Sequence, residues 1–110
     1  MNIVISKSGN TIETLANFIS LNIIKKKAKN IIIISERKEN ILFALSKRYN
    51  LFFIEHRKFL GGRYSVLSEV GLVPAYLMGL NIKKLRKNLL SQILKNKKFL
   101  KESTAILANI

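Results

Sequence analysis

The sequence predicts an α/β fold built on a parallel sheet, followed by a mostly helical C-terminal part. Short apolar runs at Asn2–Ser6, Ile31–Ser35 and Leu51–Ile54 alternate with two segments of helical periodicity. Strand, helix, strand, helix, strand is the order of a parallel sheet with right-handed crossovers. After Gly61-Gly62 the apolar residues keep helical spacing to the end.

The first run, Asn2 to Ser6, reads as a strand of the kind buried on both faces of a sheet. From Thr11 onward, Ile12, Leu15, Phe18, Ile19, Leu21 and Ile23 keep helical spacing until a lysine run. Asn30 opens the second strand, whose four consecutive isoleucines have strong β preference. Glu39 to Tyr49 carries Ile41, Leu42, Ala44 and Leu45 and ends in basic residues, which suits a helix C-terminus. Leu51 to Ile54 is the third strand. Val66, Leu67 and Val70 lead to Gly71 and a segment containing the only proline, Pro74. Asn81 to Leu100 reads as a further helix, and Ser103 to Ile110 as the first turns of another.

At 110 residues, 48% of them hydrophobic, the chain suits one compact domain spanning residues 1–110. There is no cysteine, which excludes a disulfide framework and a thiolate metal site and fits a reducing cytoplasm. The first residues show no secretory pattern, and runs such as Ile31 to Ile34 are far too short to cross a bilayer. Twenty Lys and Arg against 6 acidic residues give a formal charge of +14. Such a balance can serve a nucleic acid or an anionic membrane. Here the lysines are spread along the chain without interleaved aromatic rings, so solvated lysine-rich faces are the preferred reading. Neither a nucleic-acid nor a membrane partner is expected.

The junction of the first strand and helix carries the chemistry. Ser6, Ser8 and Thr11 offer hydroxyls, and Gly9 lets the backbone come close to a ligand. A helix starting near Thr11 would aim free N–H groups and a positive dipole end at an anion. The stretch lacks both the P-loop ending and the G-x-G-x-x-G pattern. The structural alternative is an ordinary helix cap by Ser8, Asn10 or Thr11, which needs one such residue rather than a cluster.

"ISKSGNTIET" resembles the phosphate-binding loop of sugar isomerase (SIS) domains. "GGRYSVLSEVGLVPAYLMGLNI", Gly61 to Ile82, is similar to the longer and more specific signature of the glucose-6-phosphate isomerase family, and "STAILANI" follows in the expected order. The resemblance implies an incomplete three-layer α/β/α SIS domain. It implies interconversion of glucose 6-phosphate and fructose 6-phosphate, in glycolysis and gluconeogenesis, through a cis-enediol. Ser6, Ser8 and Thr11 would hold the substrate phosphate, with Lys7 contributing through its backbone. Gly62 and Arg63 would line the reacting end of the sugar, where a permanently cationic guanidinium can stabilise negative charge on enediol oxygens. Without the resemblance, Arg63 would be read as a surface or structural ion-pairing residue. Tyr64, Leu67, Val70 and Leu72 are expected to pack. No cofactor and no metal are implied, and family members are homodimers.

The family's general base, a Glu, lies in a motif that cannot be placed here, and the same holds for its His and a C-terminal Lys. None of Glu13, Glu36, Glu39, Glu55, Glu69 and Glu102 stands in the right context. The single histidine, His56, lies beside Arg57 and Lys58 and reads as a partly exposed loop residue. The chain is therefore expected to be a truncated piece of a longer isomerase, without its base. The alternative is a non-catalytic sugar-phosphate-binding module.

Overall fold

The computed structural model describes residues 1–88, 91 and 94–108. It contains two compact units, Met1–Gly79 and Leu80–Ile110. The first holds β1 (Asn2–Ile5), α1 (Ile12–Ser20), β2 (Ile31–Ser35), α2 (Ile41–Tyr49) and β3 (Phe52–Glu55), then a 3-10 turn at Gly62–Tyr64 and α3 (Glu69–Leu77). The second holds α4 (Ile82–Arg86) and α5 (Lys97–Ala108). The α/β class with a parallel sheet is the one the sequence predicts.

The sheet is parallel with strand order β1-β2-β3. Asn2 pairs with Ile31 at one margin and Ser35 with Glu55 at the other. Every residue of β2 is buried, which explains why this segment is continuous β-branched sequence rather than an alternation. Ile31 and Ile33 face one side with Val4, Leu15, Phe18, Leu42 and Leu51, so α1 and α2 cover the same face. Burial on both faces, expected for Asn2–Ser6, belongs to β2 instead: in β1 only Val4 is buried, the rest are half-buried, and one edge is unpaired among the described residues.

Helix ends follow local chemistry. Periodicity suggests that α1 runs to Ile23, but it stops at Ser20, and Asn22 takes a left-handed backbone at φ 47°. Asn50 ends α2 in the same region at φ 52°, a position that Asn tolerates better than most residues. The first turn of α3 passes so close to the preceding loop that a Cβ on Gly71 would lie 2.0 Å from the Val66 carbonyl oxygen, so only glycine fits.

The C-terminal part corrects two expectations. The helix predicted across Asn81–Leu100 is broken, because α4 ends at Arg86 and Asn88 is left-handed at φ 64°. Ser103 does not start a new helix but lies inside α5. Asn109 and Ile110 lie outside the described residues. Tyr64 and Leu67, expected to pack, are exposed at 80% and 47%, whereas Val70 and Leu72 are half-buried.

Fully buried Ile33 should tolerate truncation poorly. Ile33→Ala is expected to lower unfolding stability by about 2–5 kcal/mol in urea titration, and Ile12→Ala, at a largely exposed site, by no more than about 0.5 kcal/mol.

Candidate functional site

Three loops leave the carboxyl ends of the strands together: Ser6–Thr11 after β1, Glu36–Asn40 after β2 and His56–Gly61 after β3. This end of a parallel sheet is where such folds bind ligands. The first loop is built around Gly9, whose φ of +71° is left-handed. A Cβ there would lie 1.9 Å from Asn40 Oδ1, so both the backbone angle and the space require glycine.

That close approach stitches the first loop to α2. The Leu42 N–H donates to the Gly9 carbonyl at 3.1 Å, and the Ile41 N–H to Asn10 Oδ1 at 2.9 Å. The Phe43 N–H donates to Asn40 Oδ1 at 2.8 Å. The first three N–H groups of α2 are thus all satisfied. Asn10, one of three candidate caps for α1 in the sequence, caps α2.

The start of α1 is different. Thr11 is its N-cap residue, yet its side chain makes no capping hydrogen bond. Among the described residues, the N–H groups of Ile12, Glu13 and Thr14 meet no acceptor, and neither do those of Lys7 and Ser8. The three hydroxyls meet one another instead. Ser6 Oγ lies 2.7 Å from Thr11 Oγ1, and Ser8 Oγ lies 3.4 Å from the same atom. Ser6 is buried and accepts from the Gly9 N–H at 3.2 Å, whereas Ser8 and Thr11 are exposed. Ser6 therefore anchors the cluster, and Thr11 and Ser8 face solvent above free backbone donors.

Lys7 is held by its side chain. Its Nζ donates to the Leu60 carbonyl at 2.6 Å and the Lys58 carbonyl at 3.1 Å, with Glu36 Oε1 at 3.6 Å. Gly62 and Arg63 follow directly, in the exposed 3-10 turn. Arg63 makes no ion pair among the described residues. The Lys7 contacts are not legible in the sequence, because their partners are main-chain carbonyls 51 and 53 residues away.

His56 departs from its expected place. It is 2% exposed, its N–H donates to the Ser35 carbonyl at 2.8 Å, and its Nδ1 lies 2.5 Å from Glu69 Oε1. The same carboxylate oxygen accepts from the Arg57 N–H at 3.1 Å. A charged neighbourhood in sequence suggested exposure, but its partner lies 13 residues on, in the first turn of α3. Burial opposes the charged form of Glu69, yet hydrogen bonds from its own backbone, His56 and Arg57 outweigh it and hold the carboxyl below its usual 4.5. For Glu36 the hydrogen bond from Lys38 leads, and with the charges of Lys38 and Lys7 it overcomes burial in the same direction. Among the described residues no cluster of three or more His, Asp or Glu is suited to a metal, and no helix is long and apolar enough to cross a membrane.

No protein-family model matches the chain. Over 87 residues, 74% of this chain, it is 46% identical to a probable glucose-6-phosphate isomerase of Methanococcus maripaludis, covering 19% of that protein. The chain belongs to the glucose-6-phosphate isomerase family. The corresponding enzyme of Rubrobacter xylanophilus is 33% identical over 89 residues and is covered to 21%. That of Acholeplasma laidlawii is 36% identical over 93 residues and is covered to 22%. The chain thus spans about a fifth of the length of these glucose-6-phosphate isomerases.

Gly9→Ala is expected to destabilise the chain by at least about 1–2 kcal/mol for the left-handed backbone alone, with the Asn40 clash added, as read from the urea midpoint. Acid should act through Glu36 and Glu69. Both pKa values are lower folded than unfolded, so their stabilisation is complete above the unfolded value of 4.5 and fades as pH falls through the folded values. Urea titrations from pH ~6 down to ~3 should show stability falling below pH 4.5, with a shallower fall in Glu69→Gln.

Proposed function

We propose that this chain is the phosphate-gripping segment of a glucose-6-phosphate isomerase, residues 1–110 being part of an SIS domain. The observation that carries this reading is the contrast between the two helix N-termini. α2 has its first three N–H groups filled by Gly9, Asn10 and Asn40, whereas α1 leaves its own open beneath the Ser6–Thr11–Ser8 hydroxyl chain. Free N–H groups, a positive dipole end and convergent hydroxyls form an anion site, and a phosphate dianion suits it in charge and in number of acceptors. The substrate class is a hexose 6-phosphate, as the family membership suggests.

Ser8 and Thr11 donate hydroxyl hydrogen bonds to the phosphate, Ser6 orders Thr11, and Lys7 contributes its backbone N–H. Gly62 lets the sugar approach the turn, and the unpaired guanidinium of Arg63 stabilises oxygen charge at the reacting end as ring-opened substrate passes through the enediol. The proton transfer between C1 and C2 calls for a base. Three of the carboxylates are taken up elsewhere: Glu36 and Glu69 are ion-paired or hydrogen-bonded, and Glu55 pairs with Arg37 at 3.1 Å. The base belongs to further polypeptide of the isomerase. General acid–base work is worth roughly 10²–10⁴ in rate, so this segment alone binds without turning over.

Isothermal calorimetry with fructose 6-phosphate tests the reading. Saturable binding to the 110-residue chain is expected. A hydrogen bond to a charged group contributes about 1.5–3 kcal/mol, so Ser8→Ala with Thr11→Ala should weaken binding by about 100-fold or more. Isomerisation should appear only when a complementing C-terminal fragment is added. Turnover by the chain alone, or binding indifferent to the double substitution, would contradict the assignment.

A further inference from the structure

The Lys7 ammonium has three N–H groups, and two of them are committed to main-chain carbonyls of the loop after β3, at Lys58 and Leu60. The Glu36 carboxylate lies 3.6 Å away and balances the charge, while Glu36 itself is held by Lys38 at 2.8 Å. The backbone of Lys7 is fixed in turn, because its carbonyl accepts from the Glu36 N–H at 3.1 Å. One residue of the anion-binding loop therefore joins all three loops at the carboxyl end of the sheet.

What Lys7 grips stands immediately before Gly61-Gly62-Arg63. The 57–68 segment has few other fastenings. Glu69, beyond one end, binds His56 and the Arg57 N–H at the other, and the bonds between are local: Leu60 N–H to the Arg57 carbonyl, Tyr64 N–H to Gly61, the Ser65 N–H and hydroxyl to Gly62, and the Ser68 N–H and hydroxyl to Ser65. Phe59, Tyr64 and Val66 are each more than 70% exposed, so their side chains add little packing, although Ser65 is buried and the Val66 carbonyl lies close against Gly71. The charge-assisted hydrogen bonds from Lys7, partly shielded from water, are then the link between this segment and the loop after β1.

We propose that Lys7 is a positioning residue: through its ammonium, not through the substrate, it sets the Gly62–Arg63 turn relative to the phosphate loop. Its charge is turned away from the anion and toward the neighbouring loop. The consequence for Arg63 rests on the proposed function above; the tether itself does not. Order at the turn then follows order at the phosphate loop, since both ends of one side chain are shared.

Amide hydrogen exchange on the full chain, without ligand, tests the tether. In Lys7→Met, which keeps the stem and loses the donors, exchange at Leu60, Tyr64 and Ser65 should rise by about tenfold or more while the amides of β2 stay at the parent rate. Lys7→Arg, whose guanidinium can still reach both carbonyls, should recover much of the protection. Unchanged exchange at the turn in Lys7→Met, an equal rise in β2, or no recovery in Lys7→Arg would each overturn the proposal. Titration with fructose 6-phosphate forms a separate arm. A failure to bind would count against the proposed function and leave the exchange pattern to decide the tether.

Discussion

The upper end of this sheet depends on the approach of Gly9 to Asn40. Buried backbone donors and acceptors must find partners, and here the partners are exchanged between loops. With a left-handed glycine in contact with Asn40, the Gly9 carbonyl and the Asn10 side chain reach the N-terminus of α2. The same loop brings the hydroxyls of Ser6, Ser8 and Thr11 together, and none of them caps α1. A single backbone constraint thus satisfies one helix and leaves the other open. Any larger residue at position 9 would disturb both together.

Charge is used sparingly at this site, in a chain of +14. Lys7 is the basic residue of the loop itself, and its ammonium faces two carbonyls and Glu36 rather than the opening over α1. In the proposed function, anion binding is left to neutral hydroxyls and oriented N–H groups. These are fixed dipoles that need little rearrangement when the ligand arrives, whereas a lysine aimed at the same point would give up rotamer freedom. Exposed ion pairs elsewhere are ordinary, such as Arg37 with Glu55 at 62% and 51% exposure, and pairs of that kind contribute little. The net charge colours the whole surface; the site is built from local geometry.

The parts of the fold legible in sequence are those decided by neighbours in the chain. β2 falls on Ile31–Ser35 as predicted, because four β-branched residues in a row leave little else for a buried segment to do. The hydroxyl loop was legible as well, since its residues are consecutive. Features set by distant partners were not. His56 looked like a surface residue among Arg57 and Lys58, and only Glu69, brought back by α3, buries it. The break between α4 and α5 escaped the periodicity of Asn81–Leu100, because an apolar-basic alternation is as compatible with two short helices as with one long one. Asn10 shows the same limit at closer range: the sequence shows a capping residue but not which helix it caps.

The arrangement also bears on how the labour of an isomerase divides along its chain. A phosphate group does not change during aldose–ketose isomerisation, so grip on it stabilises substrate and transition state alike. By itself that lowers KM without raising kcat. Its value for rate arises only when the grip orients the far end of the sugar against groups that act on the enediol. On the proposed function Lys7 bridges those two tasks: its backbone N–H lies beside the anion, and its side chain reaches 51 to 53 residues ahead to the segment just before Arg63. A turn held only by solvated local bonds would let the guanidinium wander, and the binding energy gained at the phosphate would be lost before it reached the reacting carbons. On the proposed function, rigidity between grip and guanidinium is therefore what this segment must supply, and the Lys7 bridge is the proposed source of it.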